Sequence, residues 1–172
     1  VMSHSYPAIA DSTDSNCDSC PITNISWHEA ALFANEVSSA AGYNTCYTCG
    51  NNDECSPVSG FLSCNGWRLP TEAEWELAAR CPYFAQENFP YSGSHQVSTV
   101  GWGAENSDGI LHDVGLKERN ECGMFDMTGN AAEWTHDRFS AMSSDALVDP
   151  TGPTTGESVV IRGGSYLDSG ED

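Results

Sequence analysis

The chain has 172 residues, and its 25 acidic side chains outnumber 6 Lys and Arg, which gives a formal net charge of −19. Only 18% of the residues are charged, below the rough quarter of a typical soluble domain, so missing cations contribute to the acidity. A chain so poor in cations cannot build the basic surface that phosphate backbones require. Nucleic acid and anionic membrane surfaces are therefore excluded as main partners, and divalent cations are the expected counterions.

Length and hydropathy indicate one globular domain over residues 1–172. The hydrophobic fraction is 39%, and a chain of this length can bury a core. No apolar run approaches the roughly 20 residues needed to span a bilayer, so we expect no membrane insertion.

Eight cysteines are too many for an ordinary cytosolic protein of this size, and their even number favours a disulfide framework in an oxidising compartment. The alternative is zinc, because two C-x-x-C pairs are present at 17–20 and 46–49. The cysteines are Cys17, Cys20, Cys46, Cys49, Cys55, Cys64, Cys81 and Cys122.

A first helix is predicted over about 26–40. Ser26 and Glu29 form an S-x-x-E capping box, and Gly42 is a suitable terminator. The spacing i, i+3, i+4, i+7 predicts an apolar face made of Ala30, Phe33, Ala34 and Val37.

A second helix is predicted after Pro70, where Thr71 is the cap and Glu74 completes the box. Its predicted apolar face consists of Trp75, Ala78 and Ala79. We expect a disulfide-stapled loop over 43–66 and irregular structure over 81–120. Three short strand candidates follow, at 124–127, 133–135 and 159–162. This order of elements indicates an α+β domain.

Five sequence blocks identify the chain as similar to the formylglycine-generating enzyme (sulfatase-modifying factor) family. The blocks occur in the order of that family's motifs. They are ISWHEA at 25–30, GWRLPTEAEWE at 66–76, GMFDMTGNAAEW at 123–134, DPTGP at 149–153 and IRGGSY at 161–166.

The resemblance implies a fold related to C-type lectins, with two helices, a small twisted antiparallel sheet and long disulfide-stapled loops. The family pattern extends beyond both ends of this chain, and Val1 and Met2 could be the end of its N-terminal strand segment. A chain without the family's terminal strands would expose sheet edges, which self-assembly or a partner chain could cover.

The resemblance also implies a calcium site in the block at 123–134. Carried over by position, its ligands are the side chains of Asp126 and Glu133 and the carbonyls of Gly129 and Ala131. These are the hard oxygen ligands that calcium prefers. The alternative is that Asn130 and Glu133 only hydrogen-bond the loop. Ala132 replaces the aromatic residue usual in this motif.

Enzymes of the family oxidise a substrate cysteine to formylglycine with a pair of copper-binding cysteines. The first cysteine position corresponds to Asp168, and the second would lie beyond Asp172. Because Cu(I) requires soft thiolate ligands, we expect neither copper binding nor this oxidase activity. The alternative is that one of the eight cysteines has moved into the site.

The sequence favours four disulfides and no structural zinc. Eight cysteines allow on the order of a hundred connectivities. The clustering of six cysteines before residue 65, with two apart, favours a local and nested arrangement. The expected pairs are Cys17–Cys20, Cys46–Cys64, Cys49–Cys55 and Cys81–Cys122. The inserts that carry most of them resemble those of secreted bacterial members of the family.

Three functions are consistent with these features. The first is a non-catalytic extracellular module, calcium-bound, that recognises a protein or glycan or takes part in surface assembly. The second is a copper oxidoreductase, or an iron-dependent relative, whose catalytic part lies outside this chain. Iron would need a histidine cluster, and His4, His28, His95, His112 and His136 show no such local spacing. The third is a variable ligand-binding protein of a diversity-generating retroelement.

Overall fold

The computed structural model describes residues 17, 19–85, 87–141 and 147–170. Contacts divide the described chain into two compact units. The first unit is Ile22–Leu69. The described residues of the second unit are 17, 19–21, 70–85, 87–141 and 147–170. The expectations for Val1 and Met2 lie outside the described residues, and a single domain over 1–172 stays a prediction. No helix of the described chain is long and apolar enough to cross a membrane.

The first unit contains helix α1 (Trp27–Ala40) and an antiparallel hairpin of β1 (Tyr47–Cys49) and β2 (Cys55–Pro57). The predicted capping box of Ser26 and Glu29 is present, and Gly42 adopts a positive φ just after the helix, as predicted. The hairpin was not predicted, because its strands have three residues each and lie within a segment rich in Gly, Asn and Ser.

The predicted apolar face of α1 is only partly correct. Of its members, Ala34 is buried, but the rest of the buried face is Trp27, Ala31, Asn35 and Ser38. Ala30, Phe33 and Val37 instead line an open groove of about 320 Å³. The apolar residues at helical spacing therefore line a groove. The face of α1 that packs into the core consists of Trp27 and of small or polar residues.

The core of the first unit forms around Tyr47, which is 2% exposed. Its ring meets those of Trp27 and Phe61, each with a centroid distance of 5.5 Å. The Tyr47 hydroxyl accepts a hydrogen bond from Leu69 N at 3.0 Å. Burial raises the pKa of Tyr47 to about 12. Aromatic packing with one satisfied hydroxyl thus fixes the centre of this unit.

The second unit contains helix α2 (Glu72–Arg80), a one-turn helix α3 (Val97–Val100), and the antiparallel strands β3 (Glu133–Arg138) and β4 (Val159–Arg162). The predicted box of Thr71 and Glu74 is present. Trp75 and Ala79 form a buried cluster with Met127, and Ala78 packs against it, so the predicted face of α2 is correct.

The strand candidate at 124–127 is wrong, and the candidate at 133–135 is the start of the longer β3. Gly123 and Asp126 both have positive φ, which turns the backbone away from an extended path at each end of 124–127. Within the described residues, each sheet has two strands.

All four disulfides predicted from the cysteine clustering are confirmed. They are Cys17–Cys20, Cys46–Cys64, Cys49–Cys55 and Cys81–Cys122. The eight cysteines of the sequence are therefore all oxidised, and none is a free thiol.

Candidate functional site

The predicted site residues lie together in a tight loop of the second unit. Asp126, Gly129 and Asn130 adopt φ values of 56°, 71° and 63°. A Cβ atom at Gly129 would overlap the carbonyl of Trp102, so this position needs glycine. The chain is thereby folded sharply between Asp126 and Glu133, the first residue of β3, and residues 126–133 are called the loop below.

Two carboxylates of this loop each commit one oxygen to a protein donor. Asp126 Oδ2 accepts from Gly115 N at 2.7 Å, and Glu133 Oε2 accepts from Trp75 Nε1 at 2.7 Å. Asp126 Oδ1 is buried and has no hydrogen-bond partner in the described chain. A buried carboxylate oxygen left in this way costs free energy unless something else binds it.

The ionised form of Glu133 is disfavoured by its surroundings. Burial is the largest cause of its raised pKa, and the negative charge of Asp126 adds to it, while the Trp75 hydrogen bond acts in the opposite direction. Two carboxylates that repel each other at a buried position are stabilised together by a cation.

Asn130 provides the hydrogen bonds that hold the loop. It is 1% exposed, its Nδ2 donates to His112 O at 3.0 Å, and its Oδ1 accepts from His112 N at 3.1 Å. Its own carbonyl accepts from Tyr166 N at 2.9 Å. The hydrogen bonds of the alternative, made by Asn130 and Glu133, are thus present in the structure, and they leave one carboxylate oxygen each of Asp126 and Glu133 uncommitted.

The residues present fit a calcium ion. Asp126 Oδ1 is an orphaned hard oxygen, Glu133 has a second carboxylate oxygen, and the intervening turn carries the carbonyls of Gly129 and Ala131. Mixed carboxylate and carbonyl oxygens on a turning chain are the ligand set that calcium takes.

A cleft of about 520 Å³ adjoins this loop. Its lining includes Gly129 and Ala132 from the loop, Trp75 from α2, Arg162 from β4 and Asp168. The Arg162 guanidinium lies 5.1 Å from the centroid of the Trp75 ring.

A charged network forms one side of the cleft. Arg162 pairs with Glu76 through a short contact, and Arg80 Nε binds Glu76 Oε1 at 2.8 Å. Burial opposes ionisation of Glu76, but hydrogen bonds and charge from Arg80 and Arg162 outweigh it, and the pKa of Glu76 is lowered. Glu76 therefore stays ionised between two cations.

Asp168 lies in the cleft with its carboxylate tied to its own turn. Its Oδ2 accepts from Ser165 N at 2.7 Å and from Ser165 Oγ at 2.9 Å. Because all eight cysteines are in disulfides, no thiolate accompanies Asp168, and these residues do not fit a Cu(I) ion.

The described histidines are not gathered into a metal site. One set of three His, Cys, Asp or Glu side chains within the described residues has its ligand atoms close together. It consists of Cys17, Cys20 and Asp113. His112 instead stacks on Trp102 with ring centroids 3.6 Å apart.

Sequence reasoning missed three partners of the site. Trp75 was assigned to the core alone, and neither Gly115 nor the pairing of Arg162 with Glu76 was foreseen. Trp75 is 58 residues from Glu133, and Arg162 is 86 residues from Glu76. No local spacing signals contacts at such separations.

The comparison with known proteins is consistent with this geometry. The family described as "Sulfatase-modifying factor enzyme 1-like domain" matches residues 4–172. The chain is 30% identical over 142 residues to the chaperone protein LppX of Paenibacillus barcinonensis, covering 66% of this chain and 50% of that protein. It is 36% identical over 118 residues to the formylglycine-generating enzyme of Streptomyces coelicolor, covering 59% of this chain and 37% of the enzyme.

Among solved structures, Treponema denticola variable protein 1 superposes with a TM-score of 0.78 at 28% identity. The match covers 96% of this chain and 66% of the variable protein. The chain thus spans half or less of these two curated relatives and about two thirds of the solved structure.

Proposed function

Because the chain belongs to the sulfatase-modifying factor enzyme 1-like family, we propose that it is a calcium-bound, extracellular ligand-binding module on that scaffold, without formylglycine-generating activity. The observation that carries this proposal is the set of side chains that line the cleft. Asp168 takes the position of the family's first copper cysteine and is engaged by Ser165. A carboxylate is a poor ligand for Cu(I), whereas an open cleft with aromatic, cationic and anionic groups suits binding.

Within this proposal, calcium stabilises the loop that forms one wall of the cleft. Asp126, Glu133 and the carbonyls of Gly129 and Ala131 would hold the ion, and the ion would supply positive charge to two half-buried carboxylates. Asn130 and Trp75 orient this wall by their hydrogen bonds to His112 and Glu133. Calcium would therefore act on the shape of the cleft and take no part in chemistry.

The catalytic part of the proposal is tested by a turnover assay. The chain is incubated with Cu(I), oxygen and a cysteine-containing sulfatase peptide, with the Streptomyces coelicolor enzyme as a positive control. We expect no loss of peptide thiol, no aldehyde and no stoichiometric copper. Formation of aldehyde above the copper-only background would overturn the assignment.

The binding part is tested on immobilised glycans and cell-surface proteins in calcium. Ala132 is exposed and lines the cleft, so Ala132→Trp narrows it. Leu116 is 62% exposed and not part of the cleft lining, so Leu116→Trp is the matched control. We expect a probe that binds wild type and the control but loses at least about tenfold in affinity for Ala132→Trp. A probe that binds all three equally does not use the cleft.

The match to a variable protein supports a second candidate, a ligand-binding protein whose cleft residues are diversified by a retroelement. Sequencing many copies of the gene from one population distinguishes the two. Substitutions concentrated in codons for cleft residues favour diversification, and uniform sequences favour a module with one fixed ligand.

Four disulfides support the extracellular part of the proposal, because such bridges persist in oxidising compartments. Intact source cells can be labelled with a membrane-impermeant biotinylation reagent. Labelling of the protein only after lysis would contradict this location.

A further inference from the structure

A third chemically competent cluster lies apart from the loop and the cleft. The sulfur atoms of Cys17 and Cys20 and a carboxylate oxygen of Asp113 all lie within 4.8 Å of one another. All three residues are half-buried. Two sulfurs from a C-x-x-C pair and one carboxylate oxygen are a ligand set that tetrahedral zinc accepts.

The backbone, and not only the disulfide, holds this cluster together. Ser19 N donates to Asp113 Oδ1 at 3.0 Å, and Val114 N donates to Ser19 O at 3.1 Å. These two bonds dock Ser19, the residue before Cys20, beside Asp113. Because neither bond involves sulfur, they remain possible when the Cys17–Cys20 bridge is reduced.

The Cys17–Cys20 disulfide is the one bridge of the described chain in which neither cysteine is buried. Each of the other bridges contains a buried cysteine, with exposed fractions of 0% for Cys46, 6% for Cys55 and 1% for Cys81. Cys17 and Cys20 are only half-buried, and they are three residues apart. An attacking thiolate therefore meets no fully buried cysteine at this bridge. Its loss should also cost the fold little stability, because so small a ring constrains the unfolded chain least.

We propose that Cys17, Cys20 and Asp113 form a redox-gated site for a divalent transition metal such as Zn²⁺. In the oxidised state the two sulfurs bond to each other and cannot ligate. An external dithiol supplies two electrons, the S–S bond breaks, each sulfur gains a proton, and the dithiol leaves as its own disulfide.

Metal binding then displaces the two thiol protons. The thiolates of Cys17 and Cys20 and one oxygen of Asp113 fill three positions, and water fills the fourth. The Asp113 carboxylate opposes charge on the neighbouring thiolates, and the divalent cation removes that opposition. Binding is therefore coupled to proton release and weakens as the solution is acidified.

The first experiment establishes which bridge opens. The protein is treated anaerobically with increasing dithiol, the free thiols are alkylated, and the labelled peptides are identified by mass spectrometry. We expect the first two thiols at Cys17 and Cys20, with the other bridges intact. If another pair is alkylated first, the accessibility argument and the gate are wrong.

The second experiment measures metal binding at that level of reduction. We expect one Zn²⁺ per chain, a sulfur-to-cobalt charge-transfer absorption when Co²⁺ is used instead, and neither in the oxidised protein. Cys17→Ser/Cys20→Ser, treated identically, should lose both signals. If the reduced wild type binds no more Zn²⁺ than this double variant, the site does not exist.

A matched pair of variants tests the carboxylate. Asp113→Asn keeps an oxygen to accept from Ser19 N but removes the charge, and we expect Zn²⁺ affinity to fall about tenfold or more. Asp108→Asn, at an exposed position of the same unit, should leave affinity unchanged. Equal affinity of Asp113→Asn and wild type would remove Asp113 from the ligand set.

Discussion

Each unit of the molecule contains two disulfides, but the two units differ in what else holds their irregular segments in place. In the first unit, Cys49–Cys55 joins the two strands of the hairpin, and Cys46–Cys64 links the residue before β1 to the chain after β2. Aromatic rings pack around Tyr47. In the second unit, buried polar side chains bind peptide groups of distant loops. Asn130 binds both peptide groups of His112, Asn120 binds Ala78 O and Met124 N, and Asp137 accepts from Glu72 N.

This difference indicates which unit can form a binding site for a cation or a polar ligand. A segment fixed by sulfur bridges and aromatic packing leaves few polar atoms without a partner. A segment fixed by side-chain amides and carboxylates brings hard oxygens and charged groups close together at sharp turns. The loop for which we propose calcium and the cleft both belong to the second unit, where buried amides supply hydrogen bonds that regular secondary structure would otherwise make.

Removal of a bridge has the largest expected effect in both units. Cys81→Ala/Cys122→Ala opens a loop with a sequence separation of 41, and Cys46→Ala/Cys64→Ala one of 18. Chain entropy predicts losses of about 4 and about 3 kcal/mol in the free energy of unfolding. Chemical denaturation followed by tryptophan fluorescence measures both. Equal or reversed losses would show that packing around Tyr47, and not loop length, dominates.

The buried amides offer a matched comparison across the units. Asn35 is 8% exposed, donates to Tyr47 O and accepts from Cys46 N and Tyr47 N. Asn35→Ala and Asn130→Ala each leave buried peptide groups unsatisfied, so we expect each to cost about 3 kcal/mol. Only Asn130→Ala should also abolish the calcium response of the melting temperature. If Asn35→Ala abolishes it too, the response is not local to the second unit.

Calcium removal is the next largest effect. At a hundredfold excess over the dissociation constant, calcium should stabilise the wild type by about 2.7 kcal/mol. Chelation should therefore lower its melting temperature and hardly affect Glu133→Gln, which keeps an acceptor for Trp75 Nε1. Exposed Glu118→Gln is the control and should respond like wild type. An unchanged wild-type melting curve after calcium is stripped would mean that the loop is only a hydrogen-bonded turn.

The raised pKa of Glu133 gives this experiment a pH dependence. A carboxyl whose folded pKa lies above its ordinary value of 4.5 contributes stability that is present below that value and lost as pH rises through the folded pKa. In chelator at neutral pH, Glu133→Gln should thus be more stable than wild type. The difference should shrink as pH falls toward 4.5. A difference independent of pH would exclude ionisation of Glu133 as its cause.

The helix caps give the smallest expected effects. Ser26→Ala in the first unit and Thr71→Ala in the second each remove the side chain that accepts from the N3 peptide group, at a cost of about 1 kcal/mol. Thr71 is 1% exposed, so its loss should exceed that of Ser26. Thr71→Ser keeps the hydroxyl and should recover most of the difference. Equal thermal stability of Thr71→Ala and wild type would contradict a role for this cap.

Much of the second unit's local structure could be predicted, but its site only in part. The motif block at 123–134 placed Asp126, Gly129, Ala131 and Glu133 in one turn, because they are close in sequence. The hydrogen bond from Trp75 to Glu133 and that from Gly115 to Asp126 could not be predicted, since they join segments whose approach depends on the whole unit.

The sequence by itself determined the two longer helices α1 and α2, their capping boxes, the family and the four disulfides, but not the one-turn helix α3. These features depend on short spacings or on motifs that are readable without coordinates. Only the tertiary structure decided which face of α1 is buried, that 124–127 is not a strand, and that Asp126 Oδ1 has no partner. The physical reason is that burial and hydrogen-bond satisfaction depend on groups brought from distant parts of the chain, which local periodicity does not encode.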